Sequence, residues 1–223
     1  NAVAYIPNAA LDPIPTGATC DKCNVTLSGK PIATALSDVN GKFTLENVPT
    51  GNNVPLVIQV GKWRRQVMIP TVTSCVDNPI TDANLTRLPR NRSEGNIPKI
   101  AVTTGGSDAF ECLLRKIGVA DTEYTLESGT GRINLFAGGD PAITPNPSGG
   151  DGPGATQFNA ALGGGKFPWA TTLWSSTPKM LGYDLLIFSC EGSQFGDVKT
   201  PHLANVKAYA DAAKNGYYVA GAH

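Results

Sequence analysis

Tyr183-Asp184-Leu185-Leu186-Ile187-Phe188-Ser189-Cys190 is the stretch on which the fold turns. A strand with one wet face alternates apolar and polar residues. Here the apolar run is unbroken, which predicts a central strand of a parallel sheet, covered on both faces. Downstream, Pro201 suits the first turn of a helix over 201–214, Asn215-Gly216 ends it, and residues 217–222 enter a further strand. Upstream, residues 169–181 predict one short helix, and 132–137 (Arg-Ile-Asn-Leu-Phe-Ala) a strand that ends in Gly138-Gly139. Residues 140–166, rich in proline and glycine, predict a long irregular excursion. Residues 99–103 form a β-branched run ending in Thr104-Gly105-Gly106. Ser107-Asp108 is placed to cap a helix whose apolar positions Ala109, Phe110, Leu113, Leu114 and Ile117 recur at helical spacing before Gly118 stops it. Strand and helix in alternation predict a doubly wound, mostly parallel α/β sheet over residues 99–223, with the four strands side by side.

The first 88 residues read differently. Short apolar alternations are separated by turn residues, and none has helical periodicity. Residues 32–36 predict a strand, Asp38-Val39-Asn40-Gly41 a turn, and 42–45 the returning strand of a hairpin, since Asn-Gly is the strongest short hairpin signal. Residues 54–60 and 66–69 are further strands, joined through Gly61-Lys62-Trp63-Arg64-Arg65, a charged connection expected to be solvated. Strands joined by short turns predict a β-sandwich over 1–88. The proline-framed polar segment 89–98 is read as a linker.

Totals narrow the function. Eighteen basic and eighteen acidic side chains cancel, with no block of one sign, so the footprint of a nucleic-acid or anionic-membrane binder is missing. Charged residues are 16% of the chain against 25 glycines and 17 prolines, which fits turn-rich β structure of secreted type. No run approaches the length of a membrane helix. Both ends read as strands, so a signal or lipid anchor upstream of Asn1 and more of the sheet beyond His223 are expected, and the α/β domain is read as truncated.

Five cysteines occur. Cys20, Cys23 and Cys75 are disulfide candidates, with each pairing left open, because a loop-stapling bridge suits an oxidising compartment. Cys20-Asp21-Lys22-Cys23 has zinc-like spacing, but this half holds neither histidine, and no metal or cofactor is expected. The sequons at Asn24, Asn84 and Asn91 carry little weight. Asp38, Asn40, Asp140 and Asp151 are oxygen ligands that turn chemistry already explains. Gly105, Gly106 and Ser107 form a possible anion-binding turn at a helix start, in neither a P-loop nor a dinucleotide pattern.

Two resemblances stand on these residues. Ser37-Asp38-Val39-Asn40-Gly41-Lys42-Phe43-Thr44-Leu45-Glu46-Asn47-Val48-Pro49-Thr50-Gly51, with the strand after it, resembles the carboxypeptidase regulatory-like domain, a transthyretin-like β-sandwich. That resemblance implies a structural or binding module. Residues 183–192, the helix after them and Gly216-Tyr217-Tyr218-Val219-Ala220-Gly221-Ala222-His223 are similar to the class I glutamine-amidotransferase-like fold. Members that are amidotransferases carry their nucleophilic cysteine in an elbow after the later strand, where this chain reads Gly221-Ala222-His223, while Cys190 ends the earlier one.

Cys190 is nevertheless the sharpest catalytic candidate, since ligands bind at the carboxyl edge of an open α/β sheet. A thiol there needs a base, for which His223 is better placed than His202, and Glu191 would orient it. The expectation is a non-catalytic secreted or cell-envelope protein serving protein or polysaccharide binding, or assembly. The rival is a cysteine-dependent hydrolase or amidotransferase-like enzyme using Cys190.

Overall fold

The computed structural model describes residues 1–18, 27–142, 152–213 and 218–221, with backbone alone for 213 and 218–221. The chain divides into two compact units, Asn1–Ile14 with Cys23–Ile97 and Pro15–Lys22 with Pro98–His223. The segment expected as a linker thus goes with the first unit through Ile97. Among the described residues no helix is long and apolar enough to cross a membrane.

The first unit is one antiparallel sheet in the order β2-β1-β3-β4, built from β1 (Val3–Pro7), β2 (Pro31–Leu36), β3 (Gly51–Val60) and β4 (Trp63–Val72). The two-residue turn Gly61-Lys62 joins β3 to β4, because Val60 pairs Trp63 directly. One face buries Ala4, Ile6, Val54, Leu56, Ile58 and Ile69. A second sheet, as a sandwich requires, is not found among the described residues. Phe43, Leu45, Val48, Ile80 and Leu88 cover this face from irregular segments instead.

The expected hairpin strand over 42–45 does not form. The carboxylate of Asp38 accepts the N–H groups of Asn40 and Lys42, both at 2.8 Å, and so closes the turn on itself. The alternating Phe43 and Leu45 then serve as a lid of side chains rather than as a ladder.

The charged connection is no connection either. Trp63, Arg64 and Arg65 open β4, and Arg64 is only 7% exposed. Its guanidinium donates to the Asp12 carbonyl at 2.7 Å, while its backbone exchanges hydrogen bonds with Asn96. Trp63 Nε1 donates to the Pro89 carbonyl at 2.8 Å. A buried guanidinium has to find acceptors, and the Asp12 carbonyl supplies one.

Arg87 and Glu94 close the 89–97 segment with two parallel contacts of 2.6 and 2.8 Å, and the Arg90 N–H adds a third to the same carboxylate. The guanidinium holds the Glu94 carboxyl down at about 2, against an ordinary 4.5. A depressed carboxyl contributes stability above its unfolded value and loses it as pH falls toward the folded one. Glu94→Gln should therefore destabilise the first unit by about 1 kcal/mol at pH 7, a modest figure because both side chains keep some solvent. Urea melts of parent and variant should converge between pH 4.5 and 2.

The second unit is a parallel sheet. β5 (Ile100–Thr104), β6 (Ile133–Ala137), β7 (Leu185–Phe188) and β8 (Tyr218–Gly221) lie in the order β6-β5-β7-β8, and every pairing is parallel. Register at the amino ends of β5 and β7 is set by Asp184, whose carboxylate accepts the Lys99 N–H at 2.7 Å while its own N–H donates to the Lys99 carbonyl.

Successive strand residues face opposite sides. Ala101, Phe136 and Leu186 therefore share one face, buried beneath Leu173, Trp174, Met180 and Tyr209 of α2 (Thr171–Trp174), α3 (Thr177–Leu181) and α5 (Leu203–Ala213). Full burial of Leu173, Met180 and Leu186 contributes about 2 kcal/mol each. Ile100, Val102, Ile133, Leu135 and Ile187, of the opposite parity, are also buried, and α1 (Phe110–Lys116) packs against β5. Crossovers between parallel strands are right-handed, and the path from β5 to β6 runs opposite to that from β6 to β7, so their helices belong on opposite faces.

The single helix expected over 169–181 is two. The Ser176 hydroxyl accepts the Lys179 N–H and restarts the chain as α3, with Pro178 in its first turn. Before α5 come α4 (Gly196–Lys199) and the 3-10 turn Thr200–His202.

Candidate functional site

β5 lies between β6 and β7, so the chain leaves β5 toward one side of the sheet and later returns to the other. This reversal makes the carboxyl ends of β5 and β7 the place where an open α/β sheet presents a ligand crevice. Gly105, Gly106, Ser107, Ser189, Cys190 and Glu191 all arrive there.

The two strand ends are in main-chain contact. A Cβ on Gly105 would stand 2.1 Å from the Cys190 carbonyl oxygen, so only glycine admits this approach. The Ser107 N–H donates to that same oxygen at 3.1 Å. Asp108, expected to cap α1, instead accepts the Cys190 N–H through Oδ2 at 2.9 Å, and Ala109 occupies the cap position with no side-chain bond. The carboxylate serves the strand end because that N–H would otherwise have no partner.

Cys190 is a half-buried free thiol. His223, its expected base, lies outside the described residues, and His202 sits in the turn before α5. Glu191 is buried, its side chain 2% exposed, and Oε2 stands 2.8 Å from Lys199 Nζ. That contact is an ion pair rather than an aligned hydrogen bond. Lys199 also lies 5.9 Å from the Trp174 ring and 5.8 Å from the Phe195 ring. Glu191 Oε1 is 2.5 Å from where a Gly138 Cβ would be, so the carboxylate rests on the end of β6.

The anion-binding turn has its amides engaged within the chain. Gly106 N–H donates to the Gly152 carbonyl at 2.9 Å, and Ser107 N–H to Cys190. α1 has seven residues and no side-chain cap.

Segment 152–155, which the sequence left as irregular surface, runs directly across this edge. Gly152 and Pro153 are buried. Gly152 N–H donates to the Glu191 carbonyl at 2.9 Å, and Thr104 Oγ1 donates to the Ala155 carbonyl at 2.8 Å. The Glu111 carboxylate accepts the Ala155 N–H, and burial pushes the Glu111 carboxyl above its ordinary value. Thr104 gave no signal in the sequence beyond ending a strand. Glu111 gave no signal beyond being an acid in the first turn of the expected helix.

Among the described residues no three His, Cys, Asp or Glu side chains gather as a metal would need. Asp38 and Asp140 accept N–H groups of their own turns, and Asp151 lies outside the described residues. Of the disulfide candidates, Cys20 and Cys23 also lie outside. Cys75 is an exposed free thiol in a turn at φ 60°, and Cys112 is exposed on α1.

Buried polar atoms without partners gather at the same edge. Thr103 Oγ1, Ser189 Oγ, Asp108 Oδ1 and Glu111 Oε2 are all buried and unbonded among the described residues. Native chains leave few such atoms, so a concentration of them at one edge asks for an explanation.

Comparison with protein-family models, with curated proteins and with solved structures returns no match. The class is defined by the molecule itself: an antiparallel β unit followed by a parallel α/β unit.

Proposed function

We propose that this chain is a non-catalytic binding or structural protein of the extracellular space or cell envelope, with its binding edge at the carboxyl ends of β5 and β7. The observation that carries the reading is the engagement of Glu191. The residue best placed to orient a base beside Cys190 is instead paired with Lys199 and packed on Gly138. The amide and carbonyl of Cys190 are also taken, by Asp108 and Ser107. A thiol nucleophile needs a base and free donors aimed at a developing oxyanion.

The finer fold assignments belong to the same proposal. The first unit is read as a carboxypeptidase regulatory-like module and the second as an amidotransferase-like one. The Asp38–Gly51 signature supports the first reading. The flavodoxin-type strand order, with the second strand outside the first, supports the second. Extracellular placement rests on composition and on the first resemblance.

Iodoacetamide at neutral pH, mapped by mass spectrometry, tests the reading with internal standards. Exposed Cys75 and Cys112 should be alkylated at the rate of ordinary thiols and Cys190 more slowly. Labelling of Cys190 ahead of both would favour the rival cysteine-dependent enzyme. Intact mass with and without reductant tests the compartment, since five free thiols in freshly isolated protein would count against secretion.

A further inference from the structure

We infer that the crevice between the carboxyl ends of β5 and β7 is a receptor for an extended, glycine-containing peptide, and that segment 152–155, Gly-Pro-Gly-Ala, is a tethered copy of that ligand seated in it. This deepens the binding reading and rests on it.

Four contacts hold the segment, and all of them address its backbone. Gly152 N–H reaches the Glu191 carbonyl, and the Gly152 carbonyl accepts from Gly106 N–H. The Ala155 carbonyl accepts from Thr104 Oγ1, and Ala155 N–H donates to Glu111. Recognition through paired main-chain donors and acceptors is how proteins take up extended peptides. Side-chain size is read sterically. A Cβ on Gly154 would fall 2.6 Å from the Gly105 carbonyl oxygen, and one on Gly139 would fall 2.7 Å from Pro153 N. The ligand must therefore carry glycine over Gly105, and Gly139 leaves the room for its proline.

An unbonded hydroxyl is the second observation. Ser189 is 5% exposed, yet its hydroxyl has no partner among the described residues. Ser189 lies beside Gly105, its Cβ 3.1 Å from where a Gly105 Cβ would be. A segment that merely completed the core would not leave a spare donor beside its seat. A longer or more polar peptide would find a partner for it.

A tethered ligand acts at roughly millimolar effective concentration, so a free peptide competes poorly until the tether is disabled. Gly154→Val disables it. Hydrogen exchange of the Gly106 amide, followed by NMR on the whole chain, reads the seat directly. The variant should exchange about tenfold faster at Gly106, with the β7 amides unchanged. Millimolar Gly-Pro-Gly-Ala-Thr should restore protection, whereas Gly-Pro-Val-Ala-Thr should not. Unchanged exchange in the variant, or protection by neither or by both peptides, overturns the inference.

If Gly154→Val also exposes the β7 amides, Thr104→Val decides. It removes one anchor and keeps the volume, and should speed exchange at Gly106 about fivefold. No change there overturns the inference. Fast alkylation of Cys190 with peptide protection intact would defeat the non-catalytic reading alone.

Discussion

Gly105→Ala should destabilise the second unit by about 3 kcal/mol. The new carbon would stand 2.1 Å from the Cys190 oxygen and 2.6 Å from its carbonyl carbon, and neither neighbour is a side-chain end that could swing aside. Relief requires β5 and β7 to separate at their carboxyl ends. That separation would break the bonds from Ser107 N–H to Cys190 and from Cys190 N–H to Asp108. Gly163→Ala is the control. It has φ 88° and nothing within 4 Å, so it should cost only the left-handed backbone term, about 1 kcal/mol. Urea unfolding read from hydrogen exchange of β7 amides separates the two, and equal costs would show that the strand ends are not in the contact described.

Lys199→Met should cost about 3 kcal/mol, and Glu191→Gln about 1, although they remove the two halves of one ion pair. The asymmetry comes from burial: the Glu191 side chain is 2% exposed and that of Lys199 is 32% exposed. With methionine at 199, a buried carboxylate loses its counter-ion, the expensive way to break such a pair. With glutamine at 191, the ammonium, 32% exposed with its side chain, can turn to water. The double variant should recover much of the larger loss. The same urea experiment checks this, and equal single-variant costs would mean that Glu191 reaches solvent.

The parallel sheet was legible because hydrophobic pattern reports burial. The unbroken run in β7, the β-branched run in β5 and the glycine-ended β6 each carry their own signal, and all three lie in register as parallel neighbours. The first unit was legible in its strands and turns but not in how its face is covered. Residues 42–45 alternate like a strand, and alternation cannot say whether the backbone finds a ladder partner or whether Asp38 takes its amide first. Arg64 misled for a related reason. Lys62, Arg64 and Arg65 within four residues read as solvated, and only the fold brings the Asp12 carbonyl within 2.7 Å of one of them.

At the candidate site, the sequence placed Gly105, Ser107, Cys190 and Glu191 at one sheet edge from local periodicity alone, since where a strand ends is a local property. It could not place segment 152–155 or Lys199 there. Neither carries a period; the segment is brought in from about forty residues away by the close approach of backbones that glycines allow, and Lys199 by the fold of the chain just after β7. In the second unit, element type and the burial of strands thus followed from side-chain pattern. Which polar group meets which was decided by tertiary structure, because a hydrogen bond or ion pair depends on positions in space that no spacing along the chain encodes.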